Sequence, residues 1–166
     1  MVAAGFHALT SVIDYPMLVV TCANGHDRAG CLVGFATQCS IAPLRYVVCI
    51  SQANHTALVA SQADVLAVHL LAWDQKDLAE LFGSRTGDDI DKFERCRWEP
   101  GPAGTPLLVD CPYRFVGRVV DRLGLGDHTG YLLDVAADAD STTGKPGAFR
   151  PLTYQQIRDL VAGHPA

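Results

Sequence analysis

Apolar and polar positions change their spacing along this chain in a way that predicts strands first and helices later. The run SVIDYPMLVVTCA, residues 11–23, is apolar and β-branched, and it ends at the Gly/Asn/Asp-rich NGHDRAG. That predicts a strand followed by a connection to an antiparallel neighbour. GCLVGFATQCSIAP, residues 30–43, reads as the second strand. A period of two sets Cys31, Val33, Phe35, Thr37, Cys39 and Ile41 on one face and Gly34, Ala36, Gln38 and Ser40 on the other. The first face predicts core. The second is low and polar, which predicts a flat surface with something lying against it.

LRYVVCIS, residues 44–51, has a continuous apolar centre and predicts a third strand covered on both faces. The period then changes. Asn54 is placed to cap a helix that runs through Ala57, Leu58, Ala60 and Ser61. DVLAVHLL, residues 64–71, returns to strand. DQKDLAELF and DDIDKFER follow as helical, with Leu78, Leu81 and Phe82 at helical spacing. EPGPAGTP, residues 99–106, is a loop by its Pro and Gly content. LLVDCPYRFVGRVVDRL and HTGYLLDVAAD read as two further long strands around the turn GLGD, and LTYQQIRDLVAGHPA adds a short helix. About six strands with inserted helices predict a mainly β, α+β domain, a small antiparallel barrel.

Composition narrows the partners. At 166 residues the chain matches one domain, residues 1–166, with a core at about residues 11–140 and a tail at 151–166. With 49% hydrophobic residues and a net charge of −5 there is no basic footprint for nucleic acid or an anionic membrane. The apolar N-terminus carries His7, Asp14 and Pro16, lacks a basic stretch, and does not read as a signal peptide. No run is long enough for a membrane span. Six cysteines without a C-x-x-C pair argue against zinc and against a disulfide framework, and reduced thiols point to the cytoplasm.

Two places offer chemistry. SQANHTALV, residues 51–59, passes from strand to helix through short polar residues, so Ser51, His55, Thr56 and free backbone amides converge as at an anion site, although Asn54 and Thr56 also suit plain capping. In LGLGDHTGY, Gly124 and Gly126 permit a tight turn, and Asp127 beside His128 sets an imidazole against a carboxylate, which also suits a solvent-facing hairpin. His69 in VLAVHLL reads as a partnered core histidine, His26 as a loop residue, and DDIDK as a solvated helix face. Asp138 and Asp140 lack the spacing of a calcium loop. No Rossmann fingerprint, Walker loop, zincin or nucleophile-elbow motif is present.

GCLVGFATQCSIAP, VVCISQANHT, LAELFG, DKF and GDHTGYLLDV, in this order, resemble the flavin reductase-like family of split-barrel FMN-binding proteins. The resemblance covers residues 15–138. It implies a six-stranded antiparallel split β-barrel, a homodimer, and FMN or FAD reduced by NADH or NADPH, with reduced flavin passed in some members to a separate monooxygenase. It implies that Val33, Gly34, Phe35, Ala36 and Thr37 border the isoalloxazine, and that Ser51, Gln52, Ala53, His55 and Thr56 form the ribityl-phosphate loop. His128 falls beside flavin and nicotinamide, and Phe82, Gly83 and Lys92 near the flavin or the neighbouring subunit. The chain departs from the family pattern at Ala42, Pro43 and Leu44, where an acidic residue and two prolines are common, and at Gly34 and Phe35, where Ser or Thr is common. Three readings follow: an NAD(P)H:flavin oxidoreductase with His128 as its catalytic residue, a flavin storage, delivery or sensor protein, and a deazaflavin-dependent oxidoreductase.

Overall fold

Strands form where the apolar runs lie, but several boundaries move. The structure, a computed structural model, describes residues 2–135 and 146–164. Its strands are β1 (Leu18–Ala23), β2 (Arg28–Val33), β3 (Ala36–Ser40), β4 (Arg45–Ser51), β5 (Val65–Leu70), β6 (Trp98–Pro100), β7 (Pro106–Leu108), β8 (Arg114–Leu125) and β9 (His128–Asp134). Its helices are α1 (Val2–Thr10), α2 (His55–Ala60), α3 (Lys76–Gly83) and α4 (Tyr154–Ile157).

Seven strands make one antiparallel sheet in the order β2-β1-β5-β8-β9-β4-β3, with β6 and β7 as a separate ribbon. β2 and β3 lie at opposite edges of that sheet, yet only Gly34 and Phe35 separate them in the chain. The sheet must therefore curl until one bent strand serves both edges. Counted as one, β2 and β3 give the six strands expected, and the reading of residues 30–43 as a single uninterrupted strand is corrected. β4 pairs with β3 through Ala36↔Val48 and Thr37↔Val47, and the Cys49 amide donates to the Phe35 carbonyl at 2.8 Å. Beyond that bond β2 and β4 diverge, and the barrel is split between them.

The bend also explains why the predicted core face fails halfway. Cys31 and Val33 on β2 are buried, whereas Phe35 is 57% and Ile41 81% exposed, and Thr37 and Cys39 point outward. β1 carries its continuous apolar run because both its faces are covered. Leu18, Val20 and Cys22 enter the barrel interior with Val33, Ile50 and Leu133, while Met17 and Val19 join an outer core with Phe82, Leu108 and Leu152.

Three other expectations change. Residues 107–123 are not one strand, since β7 ends at Leu108 and β8 begins at Arg114. DDIDKFER forms only the 3₁₀ turn Lys92–Arg95, which the Asp91 carboxylate starts by accepting from the Phe93 amide at 2.9 Å. β9 ends at Asp134, and Asp138 and Asp140 lie outside the described residues. The segment after Pro151 is built into the fold. Leu152 is fully buried, its carbonyl accepts from Met17 N–H at 2.8 Å, and its amide donates to the Leu71 carbonyl at 2.8 Å. Among the described residues no helix is long and apolar enough to cross a membrane.

Candidate functional site

The split between β2 and β4 is a cleft of about 310 Å³. One side is β2 from Cys31 to the bend at Gly34 and Phe35, the other is Cys49, Ile50 and Ser51 of β4, and Asp127 and His128 stand at the mouth. Backbone groups face into this gap. The hairpin closes with Asn24 N–H on the Asp27 carbonyl at 3.1 Å, so Gly30, opposite Thr21, turns its own amide and carbonyl away from β1. By the same alternation Leu32 does so too. β2 thus offers an unshared strand edge on its cleft side.

His128 opens β9 opposite Ser51. Gly126, at φ +82°, makes the turn that a side chain would strain, and the turn is pinned by the Gln52 amide on the Asp127 carbonyl at 2.9 Å and by Gln52 Nε2 on the Gly126 carbonyl at 3.2 Å. His128 Nδ1 lies 2.7 Å from Asp127 Oδ1, and that bond to the imidazole holds the Asp127 carboxyl below its ordinary range. With Nδ1 engaged by the carboxylate, Nε2 is the nitrogen available to a ligand.

A second recess of about 380 Å³ lies further along β2, lined by Gly30, Arg28, His55, Thr56, Lys92 and their neighbours. Here the solvated-face reading of DDIDK is corrected. Lys92 is only 4% exposed, and its Nζ donates to the Gly30 carbonyl at 3.0 Å and the Phe82 carbonyl at 3.1 Å. Burial pushes its ammonium below the usual lysine range. Both of these partners are neutral carbonyls, and the adjacent Asp91 carboxylate is taken by Arg28 at 2.6 Å. His55 is held by Asp88 at 2.7 Å, and Asn54 caps α2 by accepting from Thr56 N–H at 3.1 Å. The Cys31 thiol is enclosed near Thr56 and Lys92, and burial pushes it up to about 11, so it is inert as a nucleophile.

The residues singled out from sequence therefore fall into four groups. Val33, Gly34, Phe35, Ser51 and His128 border the cleft, and His55, Thr56 and Lys92 border the recess. Gln52 and Ala53 shape the loop between them, with Ala53 N–H on Ser51 Oγ at 3.4 Å. Ala36 and Thr37 lie past the bend on β3, Phe82 is core against Gly30, and Gly83 is small because Leu32 packs on it. The space over Gly34 belongs to another residue: a Cβ there would stand 2.5 Å from Cε2 of Tyr15. Tyr15, Met17, Tyr154 and His164 also line the cleft and were not singled out, because no local pattern joins residues so far apart in the chain.

Residues 10–160 match the model of the flavin reductase like domain. An FMN reductase (NADH) RutF of Methylorubrum extorquens is 30% identical over 156 residues, which is 94% of this chain and 73% of that protein. The fold is shared with a flavin reductase domain protein of Arthrobacter sp. FB24, at TM-score 0.79 and 20% identity over 99% of this chain and 96% of that one. It is shared also with an NADH:FAD oxidoreductase of Streptomyces globisporus, at TM-score 0.78 and 20% identity over 91% and 87%. Sequence match, split barrel and cleft agree, and the chain belongs to the flavin reductase-like family.

Proposed function

We propose that this chain is an NAD(P)H-dependent flavin oxidoreductase that takes FMN or FAD in the split between β2 and β4. The observation that carries the reading is the pairing of two recesses along one strand edge: a mostly apolar slot beside His128, and a pocket where a buried lysine donates to two neutral carbonyls. The donor set fits the group. A planar ring fits along the facing edges of β2 and β4 with backbone amides and carbonyls of β2 within reach, and a phosphate supplies the opposite charge that buried Lys92 lacks. Curated relatives that are NADH-dependent FMN reductases support the same reading.

A flavin held there would supply the acceptor for the hydride of a reduced nicotinamide, which would be oxidised as the flavin is reduced. The protein's part is to bind and align. Phe35 excludes water from a ring face, Lys92 and Thr56 hold the phosphate, and His128 presents Nε2 to the nicotinamide or to the reduced ring. Anaerobic visible spectra of the purified protein with FMN or FAD test this directly. Bleaching on addition of NADH or NADPH is expected, whereas a bound flavin that neither donor bleaches would assign a storage or delivery role.

Lys92→Met is expected to weaken FMN about tenfold while leaving riboflavin affinity unchanged, because only FMN carries the phosphate. Equal losses for both ligands in fluorescence titrations would remove Lys92 from the phosphate site. A homodimer fits the exposed Val120, Leu123 and Leu125 of β8, and sedimentation at twice the 17.8 kDa chain mass would establish it. Delivery of reduced flavin to a monooxygenase belongs to the same reading, and is tested by coupled turnover with such a partner.

A further inference from the structure

The segment after Pro151 does two things at once. Leu152 and Ile157 enter the outer core, and half-buried Tyr154 both packs against that core and lines the cleft, joined there by Ala162 and His164. The segment therefore reaches the cleft as well as the core. Its main chain is also fixed on both sides of Tyr154, by the Met17 and Leu152 bonds already described, by Tyr154 N–H on the Tyr15 carbonyl at 2.9 Å, and by Gly163 N–H on the Gly83 carbonyl at 3.0 Å.

The rings at the cleft form one continuous row. Tyr154 stacks on Tyr15 with centroids 5.0 Å apart and planes 14° from parallel. Tyr15 stands 6.1 Å from Phe35, and Phe35 stands 5.4 Å from the His128 imidazole. Tyr15 reaches this position only because Gly34 has no Cβ. We propose that Tyr154 is a ring-positioning residue of the flavin site, fixing Tyr15 in the Gly34 notch so that the row Tyr154, Tyr15, Phe35 and His128 forms an aromatic wall for the bound ring. The proposal rests on the flavin reading above.

The test compares Tyr154→Ala, Tyr154→Phe and Gly34→Ala in flavin binding, by quenching of FMN fluorescence and by the visible spectrum of bound FMN, with the thermal midpoint of ligand-free protein as control. Tyr154→Phe keeps the stack and is expected to match wild type. Tyr154→Ala is expected to raise the FMN dissociation constant about tenfold and to move the bound spectrum toward that of free FMN. Gly34→Ala forces Tyr15 out of its notch and is expected to act in the same direction without touching the tail. Wild-type affinity and spectrum in Tyr154→Ala would overturn the proposal, and if that variant does not fold, the same result in Gly34→Ala would overturn it. A wild-type protein that binds no flavin would instead remove the flavin reading, and the proposal with it.

Discussion

Replacing His128 with alanine is expected to lower kcat/KM for nicotinamide-driven flavin reduction about a hundredfold, with little change in the thermal midpoint. The two rings must meet in close, aligned approach, and a misplacement of about 1 Å is enough to cost a factor near 10². His128 is fitted to set that alignment. The Gln52 bonds to Gly126 and Asp127 hold its turn, Asp127 engages Nδ1, and Phe35 flanks the ring, so Nε2 is held at the mouth of the cleft. Its side chain is a quarter exposed, and none of these contacts carries core packing, which is why stability should survive. Steady-state kinetics with varied NADH and varied FMN separate the two forms of the role. A loss confined to the nicotinamide KM means that His128 only binds the donor, and a loss in kcat means that it aligns the rings or acts in the transition state. Unchanged turnover and unchanged nicotinamide affinity would remove His128 from the mechanism.

What could be read in the sequence was whatever is local. The cap at Asn54, the turn before His128 and the strand β4 all follow from residues within a few positions of one another, and they bring Ser51 and His128 to one place as register partners. The bend at Gly34 and Phe35 was not legible, because alternation continues through it and only the pairing of β3 with β4 shows that the strand has changed edges. Lys92 misled for a related reason. Its neighbours Asp88, Asp89 and Asp91 look like a solvated face, yet Asp88 is drawn to His55 and Asp91 to Arg28, leaving the lysine to turn inward. Tyr15 and Tyr154 meet only through tertiary structure, so the aromatic wall has no sequence signature.

Acid is expected to weaken the fold through His69, the histidine buried between the barrel and the ribbon of β6 and β7. It is 0% exposed. Its Nε2 accepts from the Leu108 amide at 3.0 Å, which leaves Nδ1 to carry the proton and donate to the Val19 carbonyl at 3.1 Å. The Leu108 bond needs the neutral ring, and burial lowers its pKa from 6.5 to about 4 against the opposing pull of the Val19 bond, which the charged ring keeps. Because the folded value lies below the unfolded one, the unfolded chain binds the extra proton between them. Stability is therefore fully present above pH 6.5 and is lost as pH falls toward 4, by roughly 3 kcal/mol in all. His69→Gln can keep an acceptor for Leu108 without titrating. Urea unfolding from pH 7 to pH 4 should then show wild type ahead at neutral pH and the two proteins converging in acid. Parallel curves would mean that His69 is not the group that titrates between pH 7 and pH 4.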